Sequence, residues 1–349
     1  MPAVDKEKPV LVTGASGYIA SWIVRMLLEE GHNVHATVRD ASNPEKVGHL
    51  TEIDKQEAGS LRLFEADLLE PGAFAKAMEG CALVLHTASP FRIDAKNPQQ
   101  DLIKPALEGT QNVLETAKDV PTVQRVVLTS SVAAIYGDAV ELEAAPEGHF
   151  TENQWNESSS VKHQAYSYSK TVAEREAWKL AGTQAQWDLV VINPSFVMGP
   201  ALSKRTDGTS TRFMQSLANG AFKQGAPELY FGVADVRDVA RAHLLAGLLP
   251  HAEGRHIVSA AEHSILEMAD LLRGAFGGRY PFPKKQLPRM LLYLFGPFQG
   301  FSWRFLRRNL GYPLRFNNRK SRVQLGLKYR PVAETLTEHL KQLERDGLV

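Results

Sequence analysis

Cysteine is almost missing: Cys81 is the only one in 349 residues. No intrachain disulfide can form, and no cysteine or histidine spacing suits zinc, so no metal site is expected. Cys81 opens an apolar run (Cys81-Ala82-Leu83-Val84-Leu85) and reads as a small buried thiol, not a nucleophile. Long apolar runs are also absent. None reaches the ~18 residues of a membrane span, and residues 287–301 are interrupted by Pro288, Arg289, Gly296 and Pro297. No serine stands in a Gly-x-Ser-x-Gly frame, which excludes a hydrolase nucleophile elbow. No internal repeat is visible, and no nucleic-acid-binding module. Residues 1–8 lack the apolar segment of a secretion signal, so a cytoplasmic location is expected and the acceptor pattern Asn156-Glu157-Ser158 carries little weight. Acidic residues, finally, are missing from 271–333, where fourteen Lys and Arg occur; the remainder has 26 basic and 39 acidic residues.

What is present begins with Val10-Leu11-Val12-Thr13-Gly14-Ala15-Ser16-Gly17-Tyr18-Ile19-Ala20. The apolar run predicts a buried strand ending at Gly14. From Tyr18, apolar residues at Ile19, Trp22, Ile23, Met26 and Leu27 have helical spacing up to Gly31. A strand, a glycine turn and a helix N-terminus place backbone N–H groups and the positive end of a helix dipole against open space, where a pyrophosphate is favoured. Gly14 permits the turn, Gly17 permits close approach, and Ala20 permits tight helix-on-sheet packing.

Strand and helix patterns then alternate. Strands are predicted at Asn33–Val38, Leu61–Glu65, Ala82–His86, Arg125–Thr129 and Leu189–Ile192, with helices after Pro44, after Pro71 and over Pro98–Ala117. This order predicts an α/β fold with a Rossmann-type doubly wound parallel sheet, whose ligands bind beyond the carboxyl ends of the strands. The polar strand-end residues Arg39, Asp67, Thr87, Ser89 and Ser131, with Ala88 among them, are therefore site candidates. Arg39 at the second strand end suits a 2′-phosphate, with Lys46 adding charge. Asp40 is the competing reading, because an acid there suits the ribose hydroxyls of NAD.

Tyr166 and Lys170, four apart on a predicted helix, share one face. A phenol titrates near ~10, and an adjacent ammonium with the positive nicotinamide ring of an oxidised cofactor favours its anion, making Tyr166 a usable general acid. Ser131 is placed to stabilise charge developing on the same substrate oxygen.

Taken together, Thr13-Gly14-x-x-Gly17-x-x-Ala20, Ser131 and Tyr166-x-x-x-Lys170 resemble the extended short-chain dehydrogenase/reductase family. Ala36-Thr37-Val38-Arg39-Asp40, His86-Thr87-Ala88-Ser89-Pro90, Leu128-Thr129-Ser130-Ser131 and Asn193-Pro194-Ser195 make the chain similar to its dihydroflavonol 4-reductase and cinnamoyl-CoA reductase branch, with the related microbial aldehyde and ketone reductases. The resemblance spans about residues 8–260. It implies NADP(H) contacts at Gly14, Gly17, Tyr18, Ile19, Arg39, Lys46, Asp67, Leu68, Thr87, Ala88, Ser89, Tyr166, Lys170, Pro194, Ser195 and Val197, with Thr209 or Ser210 further on. It implies Ser131, Tyr166 and Lys170 as catalytic residues, with Ser130 replacing Ser131 if the register slips by one. His163-Gln164-Ala165 lacks the Asn-Trp pair of cinnamoyl-CoA reductases, which argues against a coenzyme A thioester, and residues 139–150 offer no flavonoid-type specificity asparagine.

The domain reading is residues 8–195 mainly for NADP and 196–349 mainly a smaller substrate lobe, with 230–260 returning to the first body. His243, on a predicted helix there, reads as a core residue. The expected activity is NADPH-dependent reduction of a small-molecule aldehyde or ketone by a monomer or homodimer, with no nucleic-acid partner and no transmembrane segment. A sugar-nucleotide epimerase or dehydratase holding NAD, and a non-catalytic NADP sensor, are the alternatives. For the basic segment, Leu291, Leu292, Leu294, Phe295, Phe298 and Phe301 are expected to bury against the body or line a lid, with the charges facing acidic residues; a membrane-surface or nucleic-acid contact is the remaining reading, and no duplex-binding module is present.

Overall fold

The computed structural model describes residues 4–89, 97–204, 206 and 208–349, with the side chain of Gln299 left aside. Pro90, the last residue of the fourth-strand motif, lies outside them. In chain order, β1 (Val10–Thr13), α1 (Tyr18–Glu29), β2 (Asn33–Val38), α2 (Pro44–Gln56), β3 (Ser60–Glu65), α3 (Ala75–Met78), β4 (Leu83–His86), α4 (Lys104–Asp119), β5 (Arg125–Thr129), α5 (Ala165–Ala181) and β6 (Asp188–Pro194) form the first part. β7 (Phe196–Met198), α6 (Thr209–Ala218), β8 (Tyr230–Asp235), α7 (Val236–Leu248), β9 (Gly254–Val258), β10 (Ala261–Ser264) and α8 (Ile265–Phe276) follow. α9 (Arg289–Phe295), α10 (Trp303–Asn309), α11 (Arg319–Gln324) and α12 (Val332–Arg345) complete the chain.

The main sheet has the order β3-β2-β1-β4-β5-β6-β9, every pair parallel. It is the doubly wound sheet expected from the alternation, with its order reversing between β1 and β4. Alternate strand residues bury on opposite faces. Val10, Val12, Leu83, Leu85, Val127, Val190 and Ile192 pack with α1 and α7 through Ile23, Leu27, Val239 and Ala240. Leu11, Val84, Val126, Leu128, Leu189 and Val191 face Val113, Leu114, Ala117 and Ala177 of α4 and α5. Two-sided burial is why these strands read as continuous apolar runs. At the amino ends of β5 and β6, Arg125 makes a bidentate pair with Asp188 (2.6 and 2.8 Å) and donates to Ala246 and Leu249 carbonyls at the end of α7. That pair fixes the strands to a helix C-terminus, where a cation is favoured.

A second sheet, β10-β8-β7, has β8 parallel to β7 and antiparallel to β10. Its apolar face packs with α6, α8 and α12 through Met198, Met214, Leu217, Val233, Met268, Leu272, Leu336 and Leu340. Ser264 caps α8 reciprocally with Glu267, a capping box.

Several local readings change. The helix after Pro71 shrinks to Ala75–Met78. The helix predicted from Pro98 starts as a π-turn over Gln99–Ile103 and becomes α-helical only at Lys104, with Pro105 in the first turn, where a missing N–H costs no bond. β6 extends to Asp188–Pro194, Pro194 ending it. The largest correction concerns the basic segment. Of the six apolar residues expected to bury, Leu292 is buried and Phe301 partly so, whereas Leu291, Leu294, Phe295 and Phe298 are 38, 58, 56 and 85% exposed. The physical reason is that α9 has only seven residues and faces the core with Leu292, beside which Tyr293 packs partly buried. Some charges do face acids: Arg289 pairs with Glu228, Arg308 with Asp138 and Arg330 with Asp238.

His243 lies in the core as expected: its Nδ1–H donates to Val239 O (2.7 Å), and its Nε2 accepts from Thr129 Oγ1 (2.7 Å). Burial pushes His86 down to about 3, aided by the Lys170 charge, and holds His243, His256 and His339 at about 4. These groups are neutral in the folded chain and charge near 6.5 when unfolded, so their contribution to stability is complete above pH 6.5 and is lost as pH falls toward 4. Burial raises Glu152, Asp238 and Glu262, which opposes the trend by smaller shifts. Thermal unfolding followed by circular dichroism is expected to show the midpoint falling steadily from about pH 6.5 to 5, a loss of ~2 kcal/mol or more; a flat midpoint contradicts the assignment.

Candidate active site

The glycine turn lies at the carboxyl end of β1. Gly14 has φ +66°, and a Cβ there would stand 3.1 Å from Ala88 Cα, so the turn after β1 closes directly on the turn after β4. A Cβ on Gly17 would meet Gly14 O at 2.9 Å. Gly17 is also the N-cap of α1 and supplies no side-chain cap. Tyr18 and Ile19 therefore open a helix whose terminal donors are suited to a pyrophosphate, and the cradle has no room for larger residues. The Tyr18 hydroxyl donates to Gly199 O (2.5 Å) and Trp22 Nε1 to Pro200 O (2.8 Å), so the helix that carries the turn is tied to the chain beyond β7.

At the end of β2, Arg39 is exposed and carries no ion pair among the described residues. Asp40 is occupied: it accepts from Ser42 N (3.0 Å) and Ser42 Oγ (2.7 Å), bonds that hold its carboxyl below the usual range with help from Lys46. The competing reading of Asp40 as a ribose-binding acid is thus disfavoured by its own loop. Lys46 lies exposed in the first turn of α2, which Asn43 caps by accepting from Glu45 N (3.0 Å). After β3, Asp67 accepts from Leu69 N (2.9 Å), and Leu68 rests over Gly109 of α4, where a Cβ would collide with it at 2.3 Å.

The β1 and β4 ends are locked by one hydroxyl. Thr13 Oγ1 accepts from Thr87 N (3.1 Å) and Ala88 N (3.0 Å), and therefore gives its proton to His86 Nδ1 (2.8 Å). Thr87 Oγ1 returns a bond to Thr13 O (2.5 Å). Next along, Ser89 Oγ accepts from Lys170 Nζ (3.1 Å). Lys170 is buried, and its loss of solvation pushes it down to about 8 against the raising effect of Glu174.

Tyr166, on the first turn of α5, hydrogen-bonds with Ser131 at the end of β5. Ser131 Oγ also accepts from Ala133 N (3.1 Å), which fixes its direction. The expected lowering of the phenol by Lys170 is not what the geometry gives. Loss of solvation dominates and raises Tyr166 to about 12, with Ser131 the lowering influence. The Lys170 ammonium is directed at Ser89, and the half-buried Tyr166 keeps its phenol proton.

Further along, Pro194 O lies 3.5 Å from Ser131 Oγ, and Val197 O accepts from Ser210 Oγ (2.6 Å). Both polar groups of Ser195 reach Val258 O instead (3.0 and 3.3 Å). The Thr209 hydroxyl is buried without a hydrogen-bond partner.

Two hubs escaped the sequence reading. Glu174, one turn beyond Lys170 and wholly buried, accepts from Ser130 Oγ (2.5 Å), Asn193 Nδ2 (2.8 Å) and Arg255 Nε (2.6 Å). Asn193 also donates to Ser131 O (3.1 Å). Ser130, the alternative to Ser131, is thus structural. Asp138 accepts from His163 (2.9 Å), Gln164 (2.7 Å), Arg308 (2.5 Å) and Asn309 (2.8 Å). It joins α10 to the residues leading into Tyr166, where Gln164 takes a left-handed φ of 54°. The only hint in the sequence was that Glu174 follows Lys170 at helical spacing.

A cleft of about 900 Å³ lined by Trp178, Trp187, Asp188, His251, Glu253 and Gln324 is elsewhere, at the amino ends of β6 and β9. It lies at the opposite end of the sheet from the carboxyl-end candidates. Among the described residues no cluster of His, Cys, Asp or Glu suits a metal.

Residues 10–260 match the model of the NAD dependent epimerase/dehydratase family. The chain is 44% identical over 282 residues to cinnamoyl-CoA reductase CAD2 of Medicago truncatula, covering 80% of this chain and 82% of that one. It is 34% identical to tetraketide alpha-pyrone reductase 1 of Arabidopsis thaliana over 97% of this chain and 96% of the other. Among solved structures, yeast methylglyoxal/isovaleraldehyde reductase Gre2 complexed with NADPH superposes with a TM-score of 0.76 at 30% identity, covering 98% of this chain and all of that one. With the doubly wound sheet and the strand-end geometry already in place, these matches show that the chain belongs to the NAD dependent epimerase/dehydratase family, among its reductases.

Proposed function

We propose that the protein is a cytoplasmic NADPH-dependent reductase of a moderately hydrophobic aldehyde or ketone. The observation that carries this is the convergence of Ser131, Tyr166 and Lys170 beside the β1–β4 switch point, with Lys170 held on Ser89. Bound NADPH would supply the hydride. The turn at Gly14 and Gly17 with Tyr18 and Ile19 would hold the pyrophosphate, and Arg39 and Lys46 the 2′-phosphate, with Asp67, Leu68, Thr87, Ala88, Pro194 and Val197 as further contacts. Residues 8–195 carry mainly the cofactor and 196–349 mainly the substrate, with Phe196, Phe213 and Phe231 (ring centroids 5.3–6.0 Å apart) forming an apolar wall.

Tyr166 gives its proton to the carbonyl oxygen as negative charge develops there, and Ser131 donates a hydrogen bond to the same oxygen. A phenol raised by burial holds that proton until the oxygen becomes strongly basic. Lys170, pushed down to about 8 and held on Ser89, keeps a positive charge in the site below that pH. The coenzyme A thioester of the Medicago relative is disfavoured as a substrate by His163-Gln164-Ala165 before Tyr166.

Tyr166→Phe removes the donor while leaving the packing of α5 intact, and turnover is expected to fall ~10²–10⁴-fold with NADPH binding retained. Near-normal turnover rejects the mechanism. Because Lys170 loses its charge above about pH 8, carbonyl reduction by the wild type is expected to decline as pH rises through that value; a rate flat to pH ~10 contradicts the role of Lys170. Arg39→Ala is expected to raise the NADPH KM about tenfold or more and to leave NADH kinetics nearly unchanged, since a charge-assisted contact is worth ~1.5–3 kcal/mol. Equal effects on both cofactors remove the 2′-phosphate assignment.

A further inference from the structure

We infer that the hairpin of residues 289–309 is a docking surface for a lipid bilayer bearing anionic headgroups. Its apolar residues are turned away from the protein: Met290 is 79% exposed, Leu294 58%, Phe295 56%, Phe298 85% and Trp303 52%. On α9, positions 290, 291, 294 and 295 share one helical face, opposite to the buried Leu292. Tyr293, on the Leu292 side of α9, packs with the core and stacks on Trp303 of α10 (6.1 Å, 12° between planes), which holds the two helices together. Exposed large side chains standing singly are ordinary, but a run of five on one short hairpin marks an interaction surface.

Charge identifies the occupant. Lys284, Lys285, Arg304 and Arg307 are exposed and have no acidic partner among the described residues, and residues 271–333 hold no Asp or Glu at all. A second copy meeting this face would bring the same positive charge to it, which disfavours self-association. An anionic bilayer answers both features: basic residues meet the headgroups, and Leu, Phe and Trp enter the acyl boundary. No helix among the described residues is long and apolar enough to cross a membrane, so the contact is peripheral. Through Arg308 and Asn309 on Asp138, the docked hairpin is bonded to the same carboxylate that holds His163 and Gln164 ahead of Tyr166.

The test is co-sedimentation of the full chain with vesicles of phosphatidylcholine alone and of phosphatidylcholine with phosphatidylserine. The wild type is expected to sediment with the anionic vesicles only, and less at half-molar salt. Binding is expected to weaken about tenfold or more in Phe295→Ser/Phe298→Ser and in Arg304→Glu/Arg307→Glu, all four positions being away from the reductase site, with the unfolding midpoint retained. Absence of binding to anionic vesicles overturns the inference, as does binding that survives loss of the two Phe residues. A dimer seen by light scattering that becomes monomeric in Phe295→Ser/Phe298→Ser reassigns the face to a second copy.

Discussion

A single buried carboxylate, Glu174, connects the parts on which the site depends. It stands one turn after Lys170 on α5 and reaches Ser130 just past β5, Asn193 on β6 and Arg255 on β9. An ion buried this completely persists only when paired and fully hydrogen-bonded, and breaking such a pair costs ~3–5 kcal/mol. Arg255 spends its other donors on Glu152 O, Gln154 O and Ala134 O and lies over the Trp155 ring at 4.0 Å. The helix bearing Tyr166 and Lys170 is therefore fixed against three strand ends at once. Asn193, bonded to Ser131 O, carries the same constraint to the third catalytic candidate.

The parallel-sheet half was legible because its signals are local. Buried parallel strands need apolar residues on both faces, which gives runs such as Leu83-Val84-Leu85; a turn with φ +66° selects Gly14; and helical spacing places Tyr166 above Lys170. Glu174–Arg255 and Asp138–Arg308 were not legible. Their members lie 81 and 170 positions apart, and each residue alone looks like an ordinary surface charge. The direction of the phenol shift in the chain without cofactor was not legible for a related reason: desolvation depends on what surrounds Tyr166, and the spacing to Lys170 does not reveal where the ammonium points.

The C-terminal segment shows the opposite failure. Its apolar and aromatic composition is that of a core, and composition does not say which side of a helix faces inward. Leu292, Leu306 and Leu310 go in, whereas Phe295 and Phe298 go out. Arg308 and Asn309 meet Asp138, so part of the basic charge does compensate the acidic body, while Arg304 and Arg307 are left facing outward. One short hairpin thus joins a face bonded to the active-site approach with a face open to the surroundings.

The proposed reaction requires the carboxyl edge of β1, β2, β4 and β5 to hold NADP(H) with its nicotinamide beside Tyr166 and Lys170. A crystal structure of the protein with NADP⁺ decides it. The account predicts the pyrophosphate over Gly14, Gly17 and the start of α1, the 2′-phosphate on Arg39, and the nicotinamide ribose within hydrogen-bond reach of Tyr166 and Lys170. A dinucleotide whose ribose hydroxyls are held by Asp40, or whose nicotinamide lies away from Tyr166, would contradict it.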